Sequence, residues 1–281
     1  MTIIQAIVLA IVEGLTEFLP VSSTGHMILA QGIMQMQSDE YLRAFTVMIQ
    51  FGAILSVIVL YWKRFFSPKA APNAVFRGKK LENKWQRWGF FYLTLVVGIL
   101  PAAVIGLLFE QYIDLLLSKV SVVAVILLLG GVFMLFIDRI FSSEGEEHPT
   151  LLKAFFIGCY QVIAMIPGVS RSMATIVGGM QQGLSRKAAA EYSFFLAVPT
   201  MLGATLLKAY KLFKSGGVEI FRNNATTLLL GNLVAFVVAM LAIRFFISYL
   251  TKYGFKLFGY YRIVVGSLIL LLMALNVPLT M

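Results

Sequence analysis

The stretch EGLTEFLPVSSTGHM, Glu13 to Met27, breaks an apolar N-terminal segment with two carboxylates, two serines, two threonines and a histidine. How that break is read decides the fold. Pro20 cannot continue a helix, since it lacks the backbone donor and clashes with the preceding turn. Ser22, Ser23 and Thr24 then offer hydroxyl caps for a new helix. The stretch predicts two short helices meeting near Pro20, each too short to cross a bilayer alone.

Outward from it, the chain reads as membrane protein. Of its 281 residues, 59% are hydrophobic and 13% charged, where a soluble domain has about one quarter charged. The apolar residues form continuous runs of roughly 20, the pattern of spanning helices rather than of alternating barrel strands. Spans are predicted over 42–62, 87–109, 120–140, 188–213, 225–250 and 258–279. The regions 1–36 and 151–185 are instead broken at FLPVSSTGH and MIPGVSRS. Each is expected to be a re-entrant helical hairpin, a form tolerated where protein or water satisfies the open backbone.

The two broken regions resemble each other. A shift of about 148 residues lays Ser22 over Ser170 and Ser23 over Arg171. The expected architecture is therefore an all-α integral membrane protein of one domain, 1–281, with six transmembrane helices and two re-entrant hairpins. Repeat 1 covers 1–110 with hairpin 1–36, and repeat 2 covers 151–281 with hairpin 151–185. Between Lys63 and Arg87 stand eight Lys or Arg against the single acid Glu82, which puts that loop in the cytoplasm. Counting spans from it places both termini outside and makes the repeats inverted. Lys208, Lys211, Lys214 and Arg222 run against this count, but the larger cluster outweighs them.

The net charge of +10 is read as basic loops facing anionic lipid, not as a nucleic-acid surface. The single cysteine, Cys159, excludes an internal disulfide and reads as a small packed residue. The N-terminus lacks the basic region of a signal peptide and is expected to stay in the protein.

Glu13 and Glu17 lie four residues apart and share a helix face. Two carboxylates side by side in hydrocarbon call for a cation or a shared proton, and Mg²⁺ or Ca²⁺ prefers such hard oxygens. His26 lies three residues beyond Ser23, within reach on one face as acid, base or nucleophile. In the second break Arg171 stands between Ser170 and Ser172, with Thr175 a turn later. An intramembrane arginine needs an anion, either Glu13 or Glu17 or a phosphate that its planar fork can grip. The glycines Gly14, Gly25, Gly168, Gly178 and Gly179 allow close helix approach. Inverted repeats with broken helices also build secondary transporters. A carrier or flippase for an anionic or lipid-phosphate substrate is therefore the alternative reading.

EGLTEFLPVSSTGH together with PGVSRSMAT strongly resembles the undecaprenyl-diphosphate phosphatase family of the bacitracin-resistance type. The likeness covers essentially the whole chain, including AAAEYSFFLAVPTMLGA. It implies hydrolysis of undecaprenyl diphosphate to undecaprenyl phosphate and inorganic phosphate, recycling the carrier of cell-wall sugars. It further implies a bacterial inner-membrane location with the site open to the periplasm. The expected catalytic residues are Glu13, Glu17, Ser23, His26 and Arg171, with Glu13 and Glu17 holding a divalent cation. Ser22, Thr24, Ser170, Ser172 and Thr175 are expected to bind substrate. Ser23 activated by His26 is the preferred nucleophile, with His26 itself or metal-activated water left open. Expected partners are the polyprenyl diphosphate and membrane lipids, with no nucleic acid; a homodimer is allowed for.

Overall fold

The computed structural model describes residues 1–281 apart from 38, 74, 77, 78, 118, 215–217, 278, 280 and 281. Arg77, one of the basic residues counted above, lies outside the described residues. The helices in chain order are α1 (Ile3–Thr16), α2 (Ser23–Ile33), α3 (Glu40–Leu60), α4 (Trp62–Phe66), α5 (Lys84–Leu108), α6 (Glu110–Leu117) and α7 (Val120–Ile140). They continue as α8 (Leu151–Ile163), α9 (Arg171–Gln181), α10 (Arg186–Lys214), α11 (Val218–Asn223), α12 (Ala225–Tyr253) and α13 (Lys256–Ala274). Among the described residues the exception to helix is a small antiparallel ribbon, Val75–Phe76 against Lys79–Lys80, in the basic loop.

Six helices, α3, α5, α7, α10, α12 and α13, are long and apolar enough to cross a membrane. Their outer faces carry side chains that water would not tolerate in such density: Leu229 is 73% exposed, Leu107 69% and Val264 65%. Lipid solvates such faces, and the chain is a multi-pass membrane protein.

Within the bundle α13 packs on α7, α1 on α12, α12 on α3, α5 on α8, and α10 on both α3 and α9. Small residues set how closely these helices approach. A Cβ on Gly14 would come within 2.9 Å of the Ala235 carbonyl oxygen, so α1 lies almost backbone to backbone on the middle of α12. A Cβ on Gly178 would meet Tyr160 Cγ at 2.7 Å, which presses α9 onto α8. These contacts hold the two breaks deep in the bundle.

At one end of the bundle, Asp138 gathers three helices. Arg186 Nη2 donates to Asp138 Oδ1 at 2.7 Å, and the Phe255 backbone N–H donates to Oδ2 at 2.8 Å. The 141–150 link is pinned there too: Glu146 N–H donates to the Gly183 carbonyl and Ser185 N–H to the Glu146 carbonyl, each at 2.9 Å.

The α1–α2 and α8–α9 pairs correspond at a shift of 148 in their first caps and second helices, although α8 ends one position earlier than α1. Thr2 caps α1 through the Gln5 amide, and Thr150 caps α8 through the Lys153 amide. Each second helix has 11 residues and is preceded by a serine at positive φ: Ser22 at φ 68°, ψ 100°, and Ser170 at φ 75°, ψ 118°. Each is followed by another positive φ, at Gln35 and at Gly183. The closing hydrogen bonds repeat as well, with Met36 N–H to Gln31 O in one and Leu184 N–H to Gly179 O in the other.

Candidate active site

The first break is built by a turn the chain makes under strain. Helical geometry runs through Glu17, and Val21 N–H then folds back to the Leu19 carbonyl at 2.8 Å. Ser22 follows at positive φ, a conformation that costs a non-glycine residue about 1–3 kcal/mol. That reversal starts α2 beside the end of α1. As a result Ser23 Oγ donates to Glu17 Oε2 at 2.7 Å. Glu13, one turn earlier and 1% exposed, lies against Glu17, and its Oε1 makes no hydrogen bond within the chain.

The second break delivers the positive charge. Arg171 opens α9, and its Nη2 donates to Glu17 Oε1 at 3.0 Å. Nη1 donates to the Ser193 carbonyl at 3.2 Å, Nη2 also touches Met201 Sδ at 3.2 Å, and the guanidinium sits 5.5 Å from the Phe18 ring centroid. The remaining donor, Nε, is buried and has no partner within the chain. Glu17 is thus the hub, with one carboxylate oxygen on the serine and the other on the arginine.

The structure gives the serine, histidine and threonine candidates the following partners. Ser23 and His26 do share the start of α2, but the structure pairs Ser23 with Glu17 and turns His26 elsewhere. His26 Nδ1 lies 2.8 Å from the Ser22 carbonyl, which can only accept, so Nδ1 carries the proton in the neutral ring. Nε2 lies 2.8 Å from Tyr261 Oη, and the two rings stack with centroids 5.4 Å apart. Ser172 and Thr175, expected to bind substrate, are fully buried with their hydroxyls engaged. Ser172 Oγ donates to the Leu19 carbonyl at 2.8 Å, joining the two breaks, and lies 3.0 Å from Ser170 Oγ. Thr175 Oγ1 donates to the Arg171 carbonyl at 2.8 Å and meets Ser193 Oγ at 2.6 Å.

Of the remaining candidates, Ser170 caps α9 through the Met173 amide, whereas the Ser22 side chain caps nothing. The first turn of α2 therefore keeps its amides uncapped by side chains, and Thr24 sits half-buried on that turn.

Sequence reasoning missed Ser193, Tyr261 and Arg262. Arg262 is fully buried, and each of its five N–H donors faces a backbone carbonyl: Pro20, Ile126, Leu127, Gly168 and Val169. Its signal was an arginine a turn inside the apolar span 258–279. Tyr261 and Ser193 carry no comparable mark.

Among the described residues no three His, Cys, Asp or Glu side chains cluster for a metal. Glu13 and Glu17 are the available hard ligands, and the unpartnered Glu13 Oε1 is the donor free to take a cation. Two carboxylates, with other positions left to phosphate and water, fit Mg²⁺ better than the six to eight oxygens of a Ca²⁺ cage.

The chain matches the family model described as bacitracin resistance protein BacA over residues 6–268. It is similar to proteins named undecaprenyl-diphosphatase from several bacteria. It is 63% identical to one from Porphyromonas gingivalis over 280 residues, covering 99% of each chain. It is 52% identical to one from Flavobacterium psychrophilum over 281 residues, covering 100% of each. It is 47% identical to one from Bdellovibrio bacteriovorus over 278 residues, covering 97% of each.

Proposed function

The chain belongs to the bacitracin resistance BacA family of undecaprenyl-diphosphatases, and from that premise we propose that its two helix breaks form one site that hydrolyses undecaprenyl diphosphate to undecaprenyl phosphate and inorganic phosphate. This recycles the lipid carrier of cell-wall synthesis and underlies bacitracin resistance. The observation that carries the site assignment is the Ser23–Glu17–Arg171 chain, with Ser23 Oγ at 2.7 Å and Arg171 Nη2 at 3.0 Å from the two oxygens of one carboxylate.

Glu17 takes the Ser23 proton as Ser23 Oγ attacks the terminal phosphorus in line. The phosphoanhydride P–O bond breaks, and undecaprenyl phosphate leaves with the bonding pair. Water then attacks the phosphoserine phosphorus as the P–Oγ bond breaks; Glu17 returns the proton it holds to Ser23 Oγ, and the water's protons leave with the inorganic phosphate. Phosphoryl transfer of this kind depends mostly on positioning and charge. Arg171 grips the phosphate through its unpartnered Nε, and the open amides at the start of α2 add donors. Ser170, Ser172 and Thr175 hold Arg171 and the joint between the breaks. His26, with Nδ1 on the Ser22 carbonyl and Nε2 on Tyr261, braces the reversal that brings Ser23 to Glu17. A Mg²⁺ ion held by Glu13 and Glu17 would supply further positive charge against the diphosphate.

The matched α1–α2 and α8–α9 geometry supports reading them as re-entrant hairpins of two inverted repeats in one domain. The basic 63–87 loop supports a cytoplasmic position for that loop, with the site facing the periplasm of a bacterial inner membrane.

Phosphate release from a prenyl diphosphate by purified protein in detergent tests the reading, because no gradient exists there. Wild type should release phosphate and Ser23→Ala should release almost none. A carrier would release none in either form. An active Ser23→Ala would move the nucleophile elsewhere.

A further inference from the structure

We infer that Arg262 is a positioning residue: it fixes the separation of the two breaks and so the distance between the Ser23–Glu17 pair and Arg171. The inference rests on the site reading above and adds to it a residue outside both breaks.

The contacts are unusual for a buried arginine. No carboxylate is among its partners. Nη1 donates to Pro20 O at 3.2 Å and to Val169 O at 3.0 Å, Nη2 to Gly168 O at 2.7 Å and Ile126 O at 3.4 Å, and Nε to Leu127 O at 3.3 Å. Five donors meet five acceptors, which uses the whole planar fork. One nitrogen, Nη1, touches both breaks at once. A second pair of contacts anchors the guanidinium to α7, so the breaks are held relative to a rigid span. Gly130 makes the room: a Cβ there would overlap Nη2.

The direction of those carbonyls matters as much as their satisfaction. In a trans peptide the C=O and N–H point opposite ways. Drawing the Val169 carbonyl onto Arg262 turns the Ser170 N–H away from it. On the other two break peptides the Val21 and Val169 N–H groups fold back to the Leu19 and Ile166 carbonyls, so each break is closed on itself as well as on the arginine. Lysine has three donors on a point charge and cannot hold this arrangement.

Misplacing reacting groups by about 1 Å costs on the order of 10²-fold in rate. A change in the separation of nucleophile and Arg171 acts on the transition state more than on substrate binding, so it appears in kcat rather than in KM. Arg262→Lys, Gly130→Ala and the double variant are purified and assayed for kcat, KM and thermal stability, with Ser23→Ala beside them. The expected result is folded protein with kcat lower by about 10²-fold in each single variant, KM little changed, and a double variant no worse than the poorer single one. That last outcome follows if Gly130 acts only by seating Arg262. Near-normal kcat in folded Arg262→Lys or Gly130→Ala overturns the inference. So does a loss that follows melting temperature, or a failure of both variants to fold, since either makes Arg262 a stability contact. An active Ser23→Ala overturns the site reading instead, whatever Arg262 does.

Discussion

The α1–α2 and α8–α9 breaks share a backbone and divide the chemistry. At the shift of 148, Ser22 and Ser170 both have positive φ, and the second helices begin and end alike. The side chains diverge: Glu13 faces Gln161, Glu17 faces Met165, Ser23 faces Arg171 and His26 faces Ala174. One break holds the acids, the hydroxyl and the imidazole; the other holds the cation. The proposed phosphoryl transfer draws on both. In the proposed mechanism the function comes from filling the two breaks unequally, joined by the Arg171–Glu17 and Ser172–Leu19 contacts.

The comparison breaks most sharply at Glu17. Glu17→Gln removes the Ser23 acceptor charge and leaves Arg171 without its counter-charge, while keeping the shape. Turnover should fall by about 10³-fold or more, combining a lost base with a displaced donor. Phosphate release with and without added Mg²⁺ measures it, and wild-type turnover would place the chemistry outside the first break. Arg171→Lys should cost about 10²-fold, because a point charge cannot hold Glu17 and a phosphate in the same plane. Near-normal kcat in that variant would reduce Arg171 to an ion-pair partner of Glu17.

A milder test makes the second break more like the first. Gln161 Nε2 donates to Thr200 Oγ1 at 3.3 Å, and its Oε1 is buried without a partner. Gln161→Glu should add no activity, since no serine follows at position 171, and should destabilise by about 1–3 kcal/mol through an unsatisfied buried carboxyl. A rise in turnover on thermal-stability-matched samples would mean that the breaks are interchangeable.

The smallest effect lies outside both. His148, in the 141–150 link, is pushed down to about 4 by its burial and, behind that, by the Arg64 charge. The folded chain keeps it neutral where the unfolded chain, at 6.5, would take a proton. Its contribution is complete above about 6.5 and is lost as pH falls toward about 4. Melting temperature should drop slightly over that window in wild type and less in His148→Asn. An identical drop in both would assign the acid sensitivity to the breaks themselves.

Much of this was legible from residue order. The run 120–140 was read as a span and is α7 over the same residues. The spans read at 42–62 and 258–279 are α3, Glu40–Leu60, and α13, Lys256–Ala274, shifted by a few residues because apolar runs do not mark where a cap falls. Glu13, Glu17 and Arg171 stood out because charge in hydrocarbon demands a reason. Side-chain partners were not legible. Spacing of i and i+3 puts Ser23 and His26 on one face, but rotamers and distant helices decide whom each meets. The reversal at Ser22 carries Ser23 back to Glu17, and Tyr261, 235 residues away in sequence, claims His26. Ser172 and Thr175 looked like free hydroxyls because the Leu19 and Arg171 carbonyls they bond are invisible in a string of letters.

Arg262 also bears on how the protein is made. An arginine inside an apolar span is unfavourable on entering the bilayer, and α13 brings no acid of its own to offset it. Every carbonyl that receives it, from Pro20 to Val169, belongs to chain synthesised earlier. When α13 leaves the ribosome its seat has already been translated, so the helix can enter the membrane against a waiting partner. A chain whose two breaks have not come together offers its arginine the α7 carbonyls alone, and three of the five donors stay unmet.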